Sequence, residues 1–394
     1  MRLRGIGYGK VSHAYLTTYP RFRRCSSGIL SGIRTRTTTY TPPNSAQSNT
    51  TLRFSHNAGS GKSQHATSKH SSFPQSVAPR EIPQPIQPST SSATSNEIKE
   101  PLIHDVFHTG TGTWQYVVVD PATSTAAIID PVLDFDRCSC VVSTQTADSL
   151  LSLFAEKGYQ VERILETHAH ADHLSAASYL QNRLFKHTGV RPSIGIGSRI
   201  PQVQDLFSKV YGIPQEEYQG KFDKLFEDDE VFEIGGMKAT AIHLPGHTPD
   251  HMGYMIGKNV FCGDSLFIAD LGTARCDFPG GNAQDLFKSA TKLLNMPEDV
   301  KIWTGHDYPA EPRMTPQSWM FVKDHRERNK HVMVGTTEQE FVAMRTQRDK
   351  ALAAPKLLHP SLQINIRAGH LPNSTSTGRK LLHLPLVVEA GSNF

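Results

Sequence analysis

"VERILETHAHADHLSAA" (residues 161–177) decides how the rest of this chain is read. Its first seven residues, through Thr167, read as a buried strand that ends at the first histidine. His168, His170, Asp172 and His173 then follow within six positions. Successive side chains of a strand alternate between faces, so strand geometry alone cannot bring four such groups to one point. A tight loop that turns into a helix over Leu174 to Lys186 can aim all four into one cleft. Imidazole and carboxylate are ligands of borderline divalent metals such as zinc, iron and manganese. The density of these groups therefore predicts a metal site.

Three later segments join a ligand type to a glycine just after an apolar run: "HLPGHT" with His247, "VFCGDS" with Asp264 and "IWTGHDY" with His306. Glycine lets the backbone approach closely or take a positive φ, which a ligand on a strand-end turn often requires. Each segment alone is weak, but their ordered recurrence after HxHxDH is strong. The strands and helices around them alternate regularly. "TWQYVVVD" (113–120) and "TAAIID" (125–130) read as a hairpin, and Ala147 to Lys157 as a helix. "PSIGIG" (192–197) reads as a strand, followed by a helix to about Tyr211. Strands are expected at "EVFEIGG", "MKATAIHL", "HMGYMIG", "NVFCGD" and "VKIWTG". Helices are expected from Ala283 to Leu294 and near 315–330, and Thr337 with Glu340 forms a capping box for one more. Strands mixed with helices on this scale imply an α/β sandwich, sheets inside and helices outside.

The 394 residues carry a formal net charge of +4, unevenly spread. The first 80 residues hold twelve Lys and Arg and no acid, leaving 29 basic against 37 acidic side chains in 81–394. Such a balance carries no nucleic-acid footprint. Residues 1–36 are rich in Arg and hydroxylated side chains, which predicts a mitochondrial presequence and a matrix location. Read as a plain basic tail instead, they leave the protein cytoplasmic. Residues 37–98, of Ser, Thr, Pro, Gln and Asn, read as a disordered linker. A folded domain is expected over 99–335 and a helical or irregular extension over 336–394. The five cysteines form no paired CxxC pattern, so reduced thiols are expected. No apolar run reaches the roughly 18–20 residues of a membrane span, so no membrane association is expected. A homodimer is compatible with this reading.

With these motifs in hand, the chain resembles the metallo-β-lactamase superfamily over roughly 103–310. The resemblance implies a four-layer αβ/βα sandwich with metal at one edge of its sheets. Carried over motif by motif, the dinuclear hydrolases of that superfamily imply His168, His170 and His247 at one metal. They imply Asp172, His173 and His306 at the other, with Asp264 bridging. The finer resemblance is to the mitochondrial persulfide (sulfur) dioxygenases and their bacterial lactamase-like relatives, through "ETHAHADH", "LPGHTPDHMGY", "CGDSLF", "ARCDFPGG" and "GHDY". It implies one Fe(II) held by His168, His247 and Asp264, a facial triad with open positions. The implied reaction takes O2 and a small thiol-type substrate, glutathione persulfide, to sulfite and glutathione. Two Zn(II) and hydrolysis of a thioester, lactone or lactam form the alternative. A metal-bearing interaction protein without turnover is a third reading, disfavoured because every ligand position is filled.

Arg275 is a candidate for substrate steering or for an ion pair with Asp277, and Tyr308 for a hydrogen bond to substrate. His243 and His251 are read as structural, and Asp130, before Pro131, as a strand-end turn. Cys262 is read as a buried small hydrophobe; Cys276, beside Arg275, is the one candidate for a lowered-pKa thiol. The stretch beyond 335 departs from the minimal dioxygenases and resembles the bacterial lactamase-like relatives.

Overall fold

The computed structural model describes residues 100–388 and 391. The expected presequence and most of the expected linker lie outside the described residues. The chain enters through β1 (Leu102–His108), β2 (Thr113–Val119) and β3 (Thr125–Ile129), an antiparallel meander. β4 (Val132–Asp136) and β5 (Val141–Ser143) follow, then α1 (Gln145–Lys157) and β6 (Gln160–Leu165), which pairs parallel to β3. After the histidine loop come β7 (Leu174–Ser175), α2 (Ala177–Thr188), β8 (Ser193–Gly197), α3 (Ile200–Tyr211) and β9 (Lys224–Phe226). The second half holds β10 (Val231–Ile234), β11 (Met237–His243), β12 (Met252–Ile256), β13 (Asn259–Phe261), α4 (Ala283–Leu294), β14 (Lys301–Trp303) and β15 (Trp319–Phe321). α5 (Val322–Arg328), α6 (Glu338–Asp349) and α7 (Leu358–Asn365) complete it.

Two six-stranded sheets result, in the orders β1-β2-β3-β6-β8-β9 and β10-β11-β12-β13-β14-β15. The period-2 alternation of β2 explains why they stack. Trp114, Tyr116 and Val118 point into a cluster shared with Phe232, Ala239, Tyr254 and Phe261 of the second sheet. Val117 and Val119 point the other way, into a cluster with Leu150, Phe154, Leu180, Val203 and Phe207 of α1, α2 and α3. On the far side, Ile242, Val260 and Ile302 pack against Leu286, Ala290 and Leu293 of α4 and Phe341 of α6. The layers are thus helix, sheet, sheet, helix, the α/β sandwich expected from the sequence.

Three details differ from the sequence reading. α2 begins at Ala177 rather than Leu174, because Leu174 and Ser175 pair with Leu133 and Val132 of β4. The expected helix near 315–330 shrinks to α5, since Trp319–Phe321 extends the second sheet beside β14. "VLDFD" after Asp130 forms β4, an alternation of apolar and acidic residues that the sequence reading passed over. The Thr337–Glu340 capping box is present at the start of α6. Beyond it, Leu362, Ile364 and Ile366 join the core on the α1–α3 side. No helix among the described residues is long and apolar enough to cross a membrane.

Candidate metal centre

Each candidate ligand follows the carboxyl end of a strand: the histidine loop after β6, His247 after β11, Asp264 after β13 and His306 after β14. Backbone hydrogen bonds lace these loops together. Met252 N–H donates to Thr167 O at 2.7 Å and Gly305 N–H to Gly263 O at 2.9 Å. The three glycines next to ligands are required sterically, Gly246 because at its φ of +134° a Cβ would lie 2.2 Å from Leu286 N. At Gly305 a Cβ would lie 2.5 Å from Asp264 Oδ1. At Gly263, with φ of +47°, it would lie 2.6 Å from Thr167 Oγ1.

The ligand atoms of His168, His247 and Asp264 lie within 4.8 Å of one another, and so do those of His170, Asp172 and His173. His306 links the groups, with Nε2 3.1 Å from Asp172 Oδ2 and 3.5 Å from Asp264 Oδ1. All seven candidate ligands therefore converge. His168 Nε2, His170 Nδ1 and His173 Nε2 are buried, and among the described residues none has a hydrogen-bond partner. A buried polar nitrogen left unpaired is costly, and three of them near two carboxylates is an arrangement a bound cation satisfies.

The opposite ring nitrogens are fixed. His247 Nδ1–H donates to Arg275 O at 2.7 Å, leaving its Nε2 toward the site, and His306 Nδ1–H donates to Gly112 O at 3.1 Å, leaving its Nε2 toward Asp172 and Asp264. His170 Nε2 sits 3.1 Å from both Asp130 Oδ1 and Glu166 Oε2, so Nδ1 is its free atom. Glu166 in turn accepts from Ser175 Oγ. Burial and the surrounding imidazoles push His168 well below the usual histidine pKa. Burial and His170 bring His173 down to about 4. Both are neutral and ready to ligate. Burial opposes a charge on His306, but Asp264 and Asp172 outweigh it and lift its pKa to about 9. The protonated imidazole supplies the positive charge that the two carboxylates call for. Burial raises Asp264, whereas His306 and His173 outweigh burial at Asp172 and hold it well below the carboxylate range.

The residues read as secondary have identifiable tasks. His251 Nε2 accepts from Asp264 N–H at 2.9 Å, orienting the ligand rather than binding metal. His243 Nε2 instead meets Pro249 O at 3.2 Å. Arg275 pairs with Asp277 and donates to Ala353 O at 2.8 Å, the ion-pair alternative of the sequence reading. Tyr308, half exposed, stacks on His306 with ring centroids 5.7 Å apart. Cys262 is fully buried as expected, and burial pushes its thiol up to about 12. Cys276 corrects the sequence reading: burial drives its thiol up to about 12, the opposite of a reactive thiolate. Asp130, Glu166 and Asp250, which holds Ala169 N–H at 2.9 Å, were not recognised as supports. For Asp130 and Glu166 the signal was an acid directly after apolar residues, "AAII" and "IL".

A model of the metallo-beta-lactamase superfamily matches residues 108–306, the stretch from the end of β1 to the last candidate ligand. The chain is 41% identical over 290 residues to the "Beta-lactamase hydrolase-like protein" of Xylella fastidiosa, covering 73% of this chain and 65% of that protein. It thus spans about two-thirds of that relative. To "Glyoxylase B2" of Dictyostelium discoideum it is 42% identical over 279 residues, covering 70% of this chain and 93% of that one. The solved structure of ETHE1 from Myxococcus xanthus superposes with a TM-score of 0.54 at 24% identity, covering 68% of this chain and all of that one, a likeness of fold. With the layered sheets, the convergent ligands and these matches, the chain belongs to the metallo-beta-lactamase superfamily.

Proposed function

We propose that this protein is a persulfide dioxygenase, converting glutathione persulfide, O2 and water to sulfite, glutathione and protons. The observation that carries the reading is the grouping of His168, His247 and Asp264 within 4.8 Å, two imidazoles and one carboxylate. That donor set suits non-haem Fe(II), which supplies open positions where an anionic sulfur and O2 meet. The chain's own part is to hold the donors still. Arg275 O fixes the His247 tautomer, His251 fixes the backbone of Asp264, and burial keeps His168 neutral. The exposed face of Tyr308 is a candidate contact for the substrate. The "ARCDFPGG" and "GHDY" stretches, shared in pattern with the dioxygenases, support the choice of substrate. The composition of residues 1–36 supports a mitochondrial location, which a fluorescent fusion of residues 1–60 tests.

Purified protein is expected to carry close to one iron per chain and to take up O2 with glutathione persulfide. Two zincs per chain, with hydrolysis of S-lactoylglutathione and no O2 uptake, sink the reading. The dinuclear hydrolase is the second reading, favoured by the His170, Asp172 and His173 group with His306 beside it. Metal analysis of His306→Ala separates the two. The dioxygenase reading expects the iron content to stay near one, and the hydrolase reading expects a second metal to be lost.

A further inference from the structure

Residues of α7 lie more than fifty positions beyond the part of the chain matched by the superfamily model, yet they reach the histidine loop. Asn365, the last residue of α7, is 4% exposed, and its side chain makes three hydrogen bonds, two to that loop and one to β7 that follows it. Its Nδ2 donates to His170 O and to His173 O, both at 2.8 Å. Its Oδ1 accepts from Ser175 N–H at 2.8 Å. One amide thus satisfies two backbone carbonyls of the loop and the N–H of Ser175 in β7, and it spans the turn that carries His170, Asp172 and His173. A primary amide suits this task, because only Asn and Gln offer two donors and an acceptor on one rigid plane. The helix behind it is anchored independently. Leu362, Ile364 and Ile366 are in the core, and Gln204 Nε2 donates to Ile366 O at 2.9 Å.

We propose that Asn365 is a positioning residue of the metal centre, and that α7 is a built part of that centre rather than an appendage. The amide fixes the backbone from which His170 and His173 project, so the unpaired His170 Nδ1 and His173 Nε2 stay aimed at the metal. The inference rests on a metal that His170 and His173 help to hold, a site apart from the iron that His168, His247 and Asp264 would hold in the dioxygenase reading.

The test is Zn(II) affinity of the full chain, read by competition with a chromophoric chelator, beside the melting temperature of the metal-free protein. Asn365→Asp is the deciding variant: it keeps the acceptor for Ser175 N–H and removes both donors. A fall in affinity of about 10–100-fold is expected, the size typical for groups that orient metal ligands. Asn365→Ala is expected to lose at least as much. Gln204→Ala loosens α7 without touching the loop, and is expected to lower the melting temperature while leaving Zn(II) affinity within about twofold of wild type. Wild-type affinity in folded Asn365→Asp overturns the proposal. So does an equal loss of affinity in Gln204→Ala, which makes the effect one of general stability. Should Asn365→Asp not fold, folded Asn365→Ser, which keeps a single hydroxyl, decides by the same affinity threshold. Because turnover is not read, failure here leaves the dioxygenase reading standing, and the reverse also holds.

Discussion

At Asp130 a single carboxylate does work that its place in the sequence scarcely announces. Its φ of +49° puts it in the left-handed region, which Asp tolerates better than most residues. From there Oδ1 accepts from Thr167 N–H at 2.7 Å and faces His170 Nε2, while Oδ2 accepts from Thr167 Oγ1 at 2.8 Å. Removing it frees the first turn of the histidine loop and leaves the His170 ring with Glu166 alone. Asp130→Ala is expected to weaken Zn(II) binding by roughly 10–100-fold with the secondary structure retained by circular dichroism. Unchanged affinity in the folded variant would show that Glu166 alone holds the ring. The convergence of the seven candidate ligands was legible because four sit together and the other three each carry a glycine beside an apolar run. Asp130 and Asn365 were not, because their partners are set by tertiary approach. Asn365 and Ser175 are 190 positions apart, and no local pattern records that distance.

Among the elements, α6 shows how a helix outside the matched region supports the site at one remove. Its Thr337–Glu340 capping box was legible, since both halves of the motif lie within one turn. Its inward chemistry was not. Arg345 is almost wholly buried and pairs with Asp349 one turn on, with Nη2 2.5 Å from Oδ1. Arg345 Nη1 donates to Thr273 O at 3.1 Å, and Asp349 accepts from Cys276 N–H at 2.8 Å. The pair therefore grips both flanks of Arg275, whose carbonyl holds His247. Taking away one partner leaves a buried unpaired charge, so Asp349→Ala is expected to cost about 3–5 kcal/mol of folding stability, read by urea unfolding. A loss under about 1 kcal/mol would mean that water replaces the carboxylate. The two boundary errors have a like origin. A two-residue strand such as β7 carries no period to read, and β15 is fixed by its neighbour β14 rather than by its own three residues.

For the whole molecule the layer order followed from the alternation of β2 and the amphipathic helices, but the reach of the fold past residue 335 did not. Just before that point, α5 and the turn after it bury two histidines away from the metal centre. Burial brings His325 down to about 4. Burial, followed by Arg345, Lys330 and Arg348, brings His331 down to about 3, and its Nδ1 accepts from Thr273 N–H at 3.0 Å. Both are neutral in the folded chain and take up protons near pH 6.5 once unfolded. Between those values the unfolded state binds more protons, so this share of stability is complete above about pH 6.5 and is lost as pH falls toward the folded pKa. For His325 the loss by pH 4 amounts to about 3 kcal/mol. Urea unfolding of metal-free protein from pH 7 to pH 4.5 is expected to show His325→Gln losing stability less steeply than wild type. Metal-free protein is required because protonation of ligands at the centre would otherwise add its own slope. Parallel curves for variant and wild type would mean that His325 is protonated in the folded chain as readily as in the unfolded one. The acid sensitivity would then belong to the other buried groups.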